Sequence, residues 1–325
     1  MALSKTSGVN IEGIVSLVPA NINDNLLLTH LSQTDKEALI HHTGIRFRRV
    51  VNEENSNIKN LFIKGITNLL ANLPWEKESI DILICVTQTP NVSIPAISCQ
   101  IHGDLGFSNN TMCYDINLGC SGFVYSLHTL SALLSSLNKI NARAILCCGD
   151  ISTQLIQEND QTTKPIFSDA ASVTAVSNNT ETFSYFNLET NGSGQKAIYK
   201  EGNFMKLNGI DVFNYSLTMV PNNILNLLTF ADKNIDLPNM FILHQANKLI
   251  NEAIRKKLLL PETKTPSTLH EYGNTSSASI PLTLCKNWDS ETPNWVLFSG
   301  FGVGFSVASA LIYLNNSIHL SIIET

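Results

Sequence analysis

Charge is scarce in this 325-residue chain: Asp, Glu, Lys and Arg make up 15% of it, against about 25% in ordinary soluble domains. Basic side chains are the scarcer sign, 21 against 27 acidic, which leaves a formal net charge of -6. A nucleic-acid binder needs a basic face to neutralise phosphates. The longest basic cluster here is Arg255-Lys256-Lys257, one helix end, so nucleic acid is excluded as a partner. The seven cysteines, Cys85, Cys99, Cys113, Cys120, Cys147, Cys148 and Cys285, are odd in number and contain no C-x-x-C pair. Both facts argue against a disulfide framework and a zinc site, and no metal site is expected. No opening stretch joins a basic start to an apolar run and a small-residue cleavage site. No secretory signal is therefore read, and the expected compartment is the cytoplasm.

Apolar residues are plentiful, at 43% with a mean hydropathy of +0.06. At this length, that implies two domains or one large doubled one, with a thick core or an oligomer interface to absorb the surplus. Trp295 to Leu314 is an uncharged run as long as a bilayer span. Gly300, Gly302 and Gly304 interrupt it, its β-branched and aromatic residues suit strands, and no Lys or Arg closely flanks it. The run reads as two buried strands joined by a glycine turn, and no membrane contact is expected.

Short apolar runs alternate with helical patterns. Strands are predicted over Ile82 to Thr87, Cys113 to Asn117, Ala144 to Cys148, Met240 to His244, Trp295 to Ser299 and Val307 to Leu314, and the alternation implies α/β layers. Phe123, Val124, Leu127, Leu130, Leu133, Leu134 and Leu137 follow the helical period, with Ser121 placed to cap the start. A second helix is predicted from about Gln245 to Leu259. The two parts of the chain also resemble each other: Asp81 to Thr87 matches Asn239 to His244, and Ala144 to Asp150 matches Trp295 to Gly302. This order predicts a duplicated fold, with halves 1–176 and 177–325 meeting in the polar stretch Ser177 to Gly194.

Three residues stand where chemistry is expected. Cys120 lies between a strand and a helix start, flanked by Gly119 and Gly122. Unpaired N–H groups and the helix dipole there are expected to lower its thiol pKa. His244 ends a predicted strand and precedes Gln245-Ala246-Asn247, at the sheet edge where ligand crevices form. Asn274 sits in the turn Gly273-Asn274-Thr275-Ser276-Ser277. Singly, these are a buried thiol, a core histidine and a turn asparagine.

Taken together, and with their neighbours, they resemble the β-ketoacyl-acyl carrier protein synthase III (FabH-like) family of the thiolase superfamily. The resemblance spans nearly the whole chain. It rests on Thr43-Gly44-Ile45-Arg46, Asp115-Ile116-Asn117, Cys120-Ser121-Gly122-Phe123, Phe167-Ser168-Asp169-Ala170-Ala171, His244-Gln245-Ala246-Asn247, Tyr272-Gly273-Asn274-Thr275-Ser276-Ser277 and Phe301-Gly302-Val303-Gly304. It implies a five-layered α-β-α-β-α fold of two duplicated halves, a homodimer, an acyl carrier protein partner and no cofactor beyond acyl-coenzyme A or acyl-carrier and malonyl-carrier substrates. Cys120 would be the acylated nucleophile, and the backbone N–H groups of Cys120 and Val303 the oxyanion hole. His244 and Asn274 would hold the enolate oxygen of decarboxylating malonyl-carrier. Thr43, Ile94, Asn247, Phe213 and Gly304 would line the substrate path, and Lys248, Arg255, Lys256 and Lys257 would dock the carrier.

The sequence departs from the family at the coenzyme A grip, where Ala38 and His42 replace a common Trp and Arg and Gln154 replaces an Arg. A carrier-borne acyl donor, or poor coenzyme A binding, is therefore expected. Ile94 replaces an aromatic residue in a loop that reaches across the family dimer, which is expected to admit a longer or branched primer. Two other readings are an acyltransferase that passes the Cys120 acyl group to an amine or alcohol without decarboxylation, and a catalytically silent partner subunit.

Overall fold

The computed structural model describes residues 2–7, 9–29, 31–52, 57–178, 182–289 and 294–325. Two mixed sheets form its frame. One has the strand order His319–Glu324, Asn10–Val18, Ala170–Ser177, Arg143–Asp150, Ile82–Val86, Met112–Ile116. The other runs Ala2–Ser7, Phe183–Thr190, Ser306–Leu314, Asn294–Gly302, Met240–Leu243. Ile82–Val86 pairs in parallel with Arg143–Asp150, which pairs antiparallel with Ala170–Ser177. The second sheet repeats this: Met240–Leu243 is parallel to Asn294–Gly302, which is antiparallel to Ser306–Leu314.

Helices Gly122–Ser136 and Ser279–Asn287 touch both sheets and form the middle layer. Ile58–Ala71 and Ile97–Leu105 cover the outer face of the first sheet, and Gly209–Phe230 with Lys248–Lys257 cover the second. The five layers are thus α-β-α-β-α. Strand alternation explains the chain's apolar surplus, because both faces of each sheet are buried. Along Arg143–Asp150, Ala144, Leu146 and Cys148 pack into the central cluster while Ile145 and Cys147 pack outward. Along Asn294–Gly302, Val296 and Phe298 point inward while Leu297 and Phe301 point outward. The uncharged run is a strand hairpin in the second sheet, and among the described residues no helix is long and apolar enough to cross a membrane.

The ends of the chain are exchanged between the halves. Ala2–Ser7 pairs with Phe183–Thr190 in the second sheet, and His319–Glu324 pairs with Asn10–Val18 in the first. The stretch Ser177 to Gly194 holds the strand Phe183–Thr190, while residues 179–181 within it lie outside the described residues. Its polarity hides the strand in the sequence: Ser184 and Asn187 are buried, and Asn187 Nδ2 donates to Asn223 O at 2.9 Å. Ser121 does not cap the middle helix, since its Oγ is shared with Ser306 Oγ at 2.7 Å.

Candidate active site

Cys120, His244 and Asn274 come together. They line one chamber of about 50 Å³ with Ile166, Phe167, Ile198, Val212 and Phe301 among its walls. Cys120 is 6% exposed and sits just ahead of the central helix Gly122–Ser136. The backbone N–H groups of Cys120 itself and of Val303 favour the thiolate form of its sulfur. The second sheet makes room for the thiol by withholding side chains: a Cβ at Gly302 would lie 3.0 Å from Sγ, and one at Gly300 would lie 2.9 Å from the carbonyl oxygen of Cys120. Gly302 also has φ +151, which side chains rarely adopt.

The expected low thiol pKa is not found. Burial, reinforced by the nearby Asp150 carboxylate, pushes it up to about 12, against the N–H contacts that pull it down. Desolvation of a charge outweighs a helix end and two dipoles in so closed a chamber. Burial acts oppositely on His244, whose pKa is held down to about 3, so the imidazole is neutral. Its Nδ1 lies 2.7 Å from Ser279 Oγ, and its ring stands edge-on to Phe301 with centroids 5.5 Å apart. Asn274 is fixed by its backbone, which exchanges hydrogen bonds with Ile166 O at 3.0 Å and Ser168 N at 2.9 Å. Its Oδ1 accepts from Ser276 N–H at 3.0 Å, leaving Nδ2 turned toward Ala246 O at a long 3.4 Å. The arrangement offers a thiol, two backbone N–H groups and two neutral side chains able to donate hydrogen bonds around one chamber.

Sequence profiles of the 3-Oxoacyl-[acyl-carrier-protein (ACP)] synthase III family match residues 114–192, and those of its C-terminal part match residues 229–314. The beta-ketoacyl-[acyl-carrier-protein] synthase III of Campylobacter jejuni subsp. doylei is 30% identical over 318 residues, covering 93% of this chain and 97% of its own. Synthase III 2 of Bacillus cereus is 29% identical over 323 residues, covering 94% and 98%. The crystal structure of a 3-oxoacyl-(acyl-carrier protein) synthase from Burkholderia xenovorans LB400 superposes with a TM-score of 0.95 at 30% identity, over 100% of this chain and 99% of that one. The chain belongs to the 3-oxoacyl-[acyl-carrier-protein] synthase III family.

Other residues expected in this synthase's site are spread more widely. Asn247 lines the chamber, with Oδ1 capping the helix Lys248–Lys257 through Ile250 N–H at 2.9 Å. Asn247 and Phe213 also line a vestibule of about 740 Å³. Leu207, Gly209, Asn247 and Ile250 line both spaces, so the vestibule adjoins the chamber. Gly304 lies in the hairpin turn with φ +127, beside the Val303 N–H rather than on the chamber wall. Thr43 Oγ1 is occupied at a helix end, donating to Leu39 O at 2.7 Å and accepting from Ile45 N at 3.1 Å. Ile94 is 86% exposed and away from the chamber of this chain. The basic set is uneven: Lys248, Lys256 and Lys257 are exposed, but Arg255 is paired with Glu252 at 2.6 Å and Lys257 Nζ donates to Leu217 O at 2.9 Å. Among the described residues no cluster of three His, Cys, Asp or Glu could hold a metal ion.

Sequence reasoning missed Asp150, Ser279 and the glycine contacts to Cys120. The signal for Asp150 was present: it is a carboxylate closing a strand whose stretch from Ala144 to Cys148 is apolar. Ser279 was hidden in a run of small hydroxyl residues, because its contact to His244 spans 35 positions.

Proposed function

We propose that this condensing enzyme is an acyltransferase that loads an acyl primer on Cys120 and then joins it to malonyl-acyl carrier protein by decarboxylative Claisen condensation. The route serves fatty acid or specialised lipid or polyketide synthesis. The convergence of Cys120, His244 and Asn274 on one chamber carries this reading. In the first half-reaction Cys120 sulfur attacks the donor thioester, and the N–H groups of Cys120 and Val303 hold the tetrahedral oxyanion; one such donor contributes about 3 kcal/mol. In the second, the malonyl thioester carbonyl faces His244 Nε2, the nitrogen not engaged by Ser279, and Asn274 Nδ2. Carbon dioxide leaves, the enolate oxygen is held by these two donors, and the carbanion attacks the acyl carbon on Cys120. A neutral imidazole and an amide suit this step, because neither adds a charge to a dry chamber. No metal or redox cofactor enters these steps.

The carrier arm is proposed to enter through the apolar vestibule, past Phe213 and Asn247, with Lys248 and Lys256 nearest the acidic carrier and Arg255 and Lys257 behind them. Thr43 and Ile94 belong to the path only indirectly, Thr43 by ordering a helix end and Ile94 by reaching a partner's chamber. The enzyme is proposed to be a cytoplasmic homodimer, which the open edge strand Met112–Ile116 and the exposed Ile94 support. The halves 1–176 and 177–325 are proposed as its duplicated units, each contributing one side of the chamber.

Intact-mass screening of acyl-coenzyme A and acyl-carrier donors tests this directly. Wild type is expected to gain one acyl mass, preferentially from carrier donors given Ala38, His42 and Gln154, and Cys120→Ala to gain none. Asn274→Ala is expected to keep the acyl adduct but to release carbon dioxide from malonyl-carrier about 10²-fold more slowly. An enzyme that acylates normally yet never releases carbon dioxide would instead be a plain acyl transferase.

A further inference from the structure

Arg46, Arg48 and Arg49 stand close together on the chain, and two of them are matched by acids. Arg46 Nη2 lies 3.3 Å from Asp24 Oδ2, and Arg49 Nη1 lies 2.9 Å from Glu324 Oε1. Arg48 is buried more deeply, 3% exposed against 8% for Arg49, yet it has no ion pair among the described residues. Its guanidinium makes one hydrogen bond, from Nε to Asn25 Oδ1 at 3.0 Å, and among the described residues its two terminal nitrogens make none. The nearby Asp169 carboxylate is already engaged, accepting from Thr153 N–H at 2.9 Å, Thr153 Oγ1 at 2.7 Å and Val51 N–H at 2.9 Å. Burying a guanidinium without a paired acid is costly, so its retention here calls for a reason.

Arg48 lines a cavity of about 180 Å³, with Thr153, Ile156, Glu158 and Lys164 among its other walls. Lys164 Nζ is paired with the Glu158 carboxylate and donates to the Glu158 carbonyl oxygen at 3.0 Å. The Glu158 side chain is 85% exposed, so its carboxylate can turn out to water at little cost. The wall thus holds one fixed buried cation, one cation that can be released and one exposed acid. Asn25 fixes the guanidinium, since its own Nδ2 donates to Pro165 O at 2.9 Å and Ile45 O at 3.0 Å. A Cβ at Gly273 would lie 3.4 Å from Arg48 Cγ, so Arg48 passes against the turn that carries Asn274. The cavity shares no lining residue with the chamber or the vestibule.

We propose that this cavity is a phosphate-binding site, in which the two terminal nitrogens of Arg48 hold two phosphate oxygens and Lys164 leaves Glu158 for a third. A planar guanidinium fork matches two oxygens of a phosphate, and a lysine adds a point charge that needs no fixed direction. A carboxylate has only the two oxygens the fork would take, and one negative charge for two cations. A phosphate dianion uses both. The volume is below the several hundred Å³ that enclose a drug-sized ligand, which limits the occupant to inorganic phosphate or the head of a small phosphate monoester. This ligand is separate from the reacting groups and goes beyond the acyl-transfer reading. Its place beside Gly273 makes it a brace for the Asn274 turn.

Calorimetric titration and thermal unfolding of the full chain test this, with inorganic phosphate, glycerol phosphate and acetate each compared with sodium chloride at equal ionic strength. Wild type is expected to bind phosphate and to gain about 2 °C in Tm at ten times the dissociation constant. Arg48→Lys keeps the charge but loses the fork, and should weaken binding at least about tenfold. Lys164→Ala should weaken it about threefold, and Glu158→Gln, which releases Lys164, should tighten it by a similar factor. Tighter binding of the free ion or of the monoester identifies the source, and either supports the site. No phosphate effect beyond that of chloride in wild type overturns the proposal, and acetate binding as well as phosphate overturns the choice of ligand. Wild-type affinity in Arg48→Lys overturns the location. Should Arg48→Lys not fold, Lys164→Ala and Glu158→Gln decide instead, and wild-type affinity in both overturns it. None of these readouts depends on acylation of Cys120.

Discussion

The two strands that close on Cys120 occupy corresponding places in the two sheets, yet they end in opposite ways. Arg143–Asp150 delivers a carboxylate to the middle layer; Asn294–Gly302 delivers two glycines. The first supplies charge and the second supplies room, since any side chain at 302 would collide with the sulfur. Duplication gave the molecule two equivalent walls, and the chamber exists because they diverged. The two ionisable residues they enclose repeat the contrast: one desolvation raises Cys120 to about 12 and lowers His244 to about 3, and each ends neutral.

Filling the empty wall should produce the largest effect. Gly302→Val adds atoms at 3.0 Å from Sγ and a β-branched residue at φ +151. Displacement of the sulfur by about 1 Å is worth about 10²-fold in rate, so acylation followed by intact mass should slow by at least that factor. Wild-type acylation would mean that the strand yields, and that room is not what this wall provides.

An intermediate effect comes from the opposite titrations of Asp150 and His244. The folded pKa of Asp150, about 6 against 3.8, means that the folded state keeps a proton the unfolded chain has lost. Stability from this group therefore falls as pH rises from about 4 to 6, by up to about 3 kcal/mol. His244 has the reverse sign: with a folded value of about 3 against 6.5, the unfolded chain binds the extra proton, and stability is lost as pH falls below about 6.5. Urea denaturation between pH 4 and 8 should show Asp150→Asn flattening the first slope and His244→Gln the second. Slopes equal to wild type in both variants would show that the chamber is wetter than its burial implies.

The smallest effect belongs to the outer surface. Lys256→Glu should raise the Michaelis constant for carrier-borne substrate about two- to fivefold at low salt, in keeping with the small contribution of exposed charges, and the difference should shrink as salt is added. Arg255→Glu should be confounded by loss of its pairing with Glu252; a larger effect at Lys256 than any salt can screen would place it at a buried interface.

Much of this was legible in one dimension. Cys120 announced itself by its glycines and its place before a helix, His244 by ending a strand, and the hairpin by glycines spaced along an uncharged run. Phe183–Thr190 was not legible, because its buried polar residues break the apolar alternation that marks a strand. Ser121 looked like a cap and is instead held by Ser306, 185 positions away.

The sequence by itself determined the layering and the places of the candidate residues at strand ends and helix starts, because strand and helix periods and local turns are encoded within a few positions. Only the tertiary structure decided how those residues are charged and which neighbours they have. Burial is a property of the assembled layers: it comes from strands and helices brought together across more than a hundred positions, and it overrode the local helix dipole at Cys120.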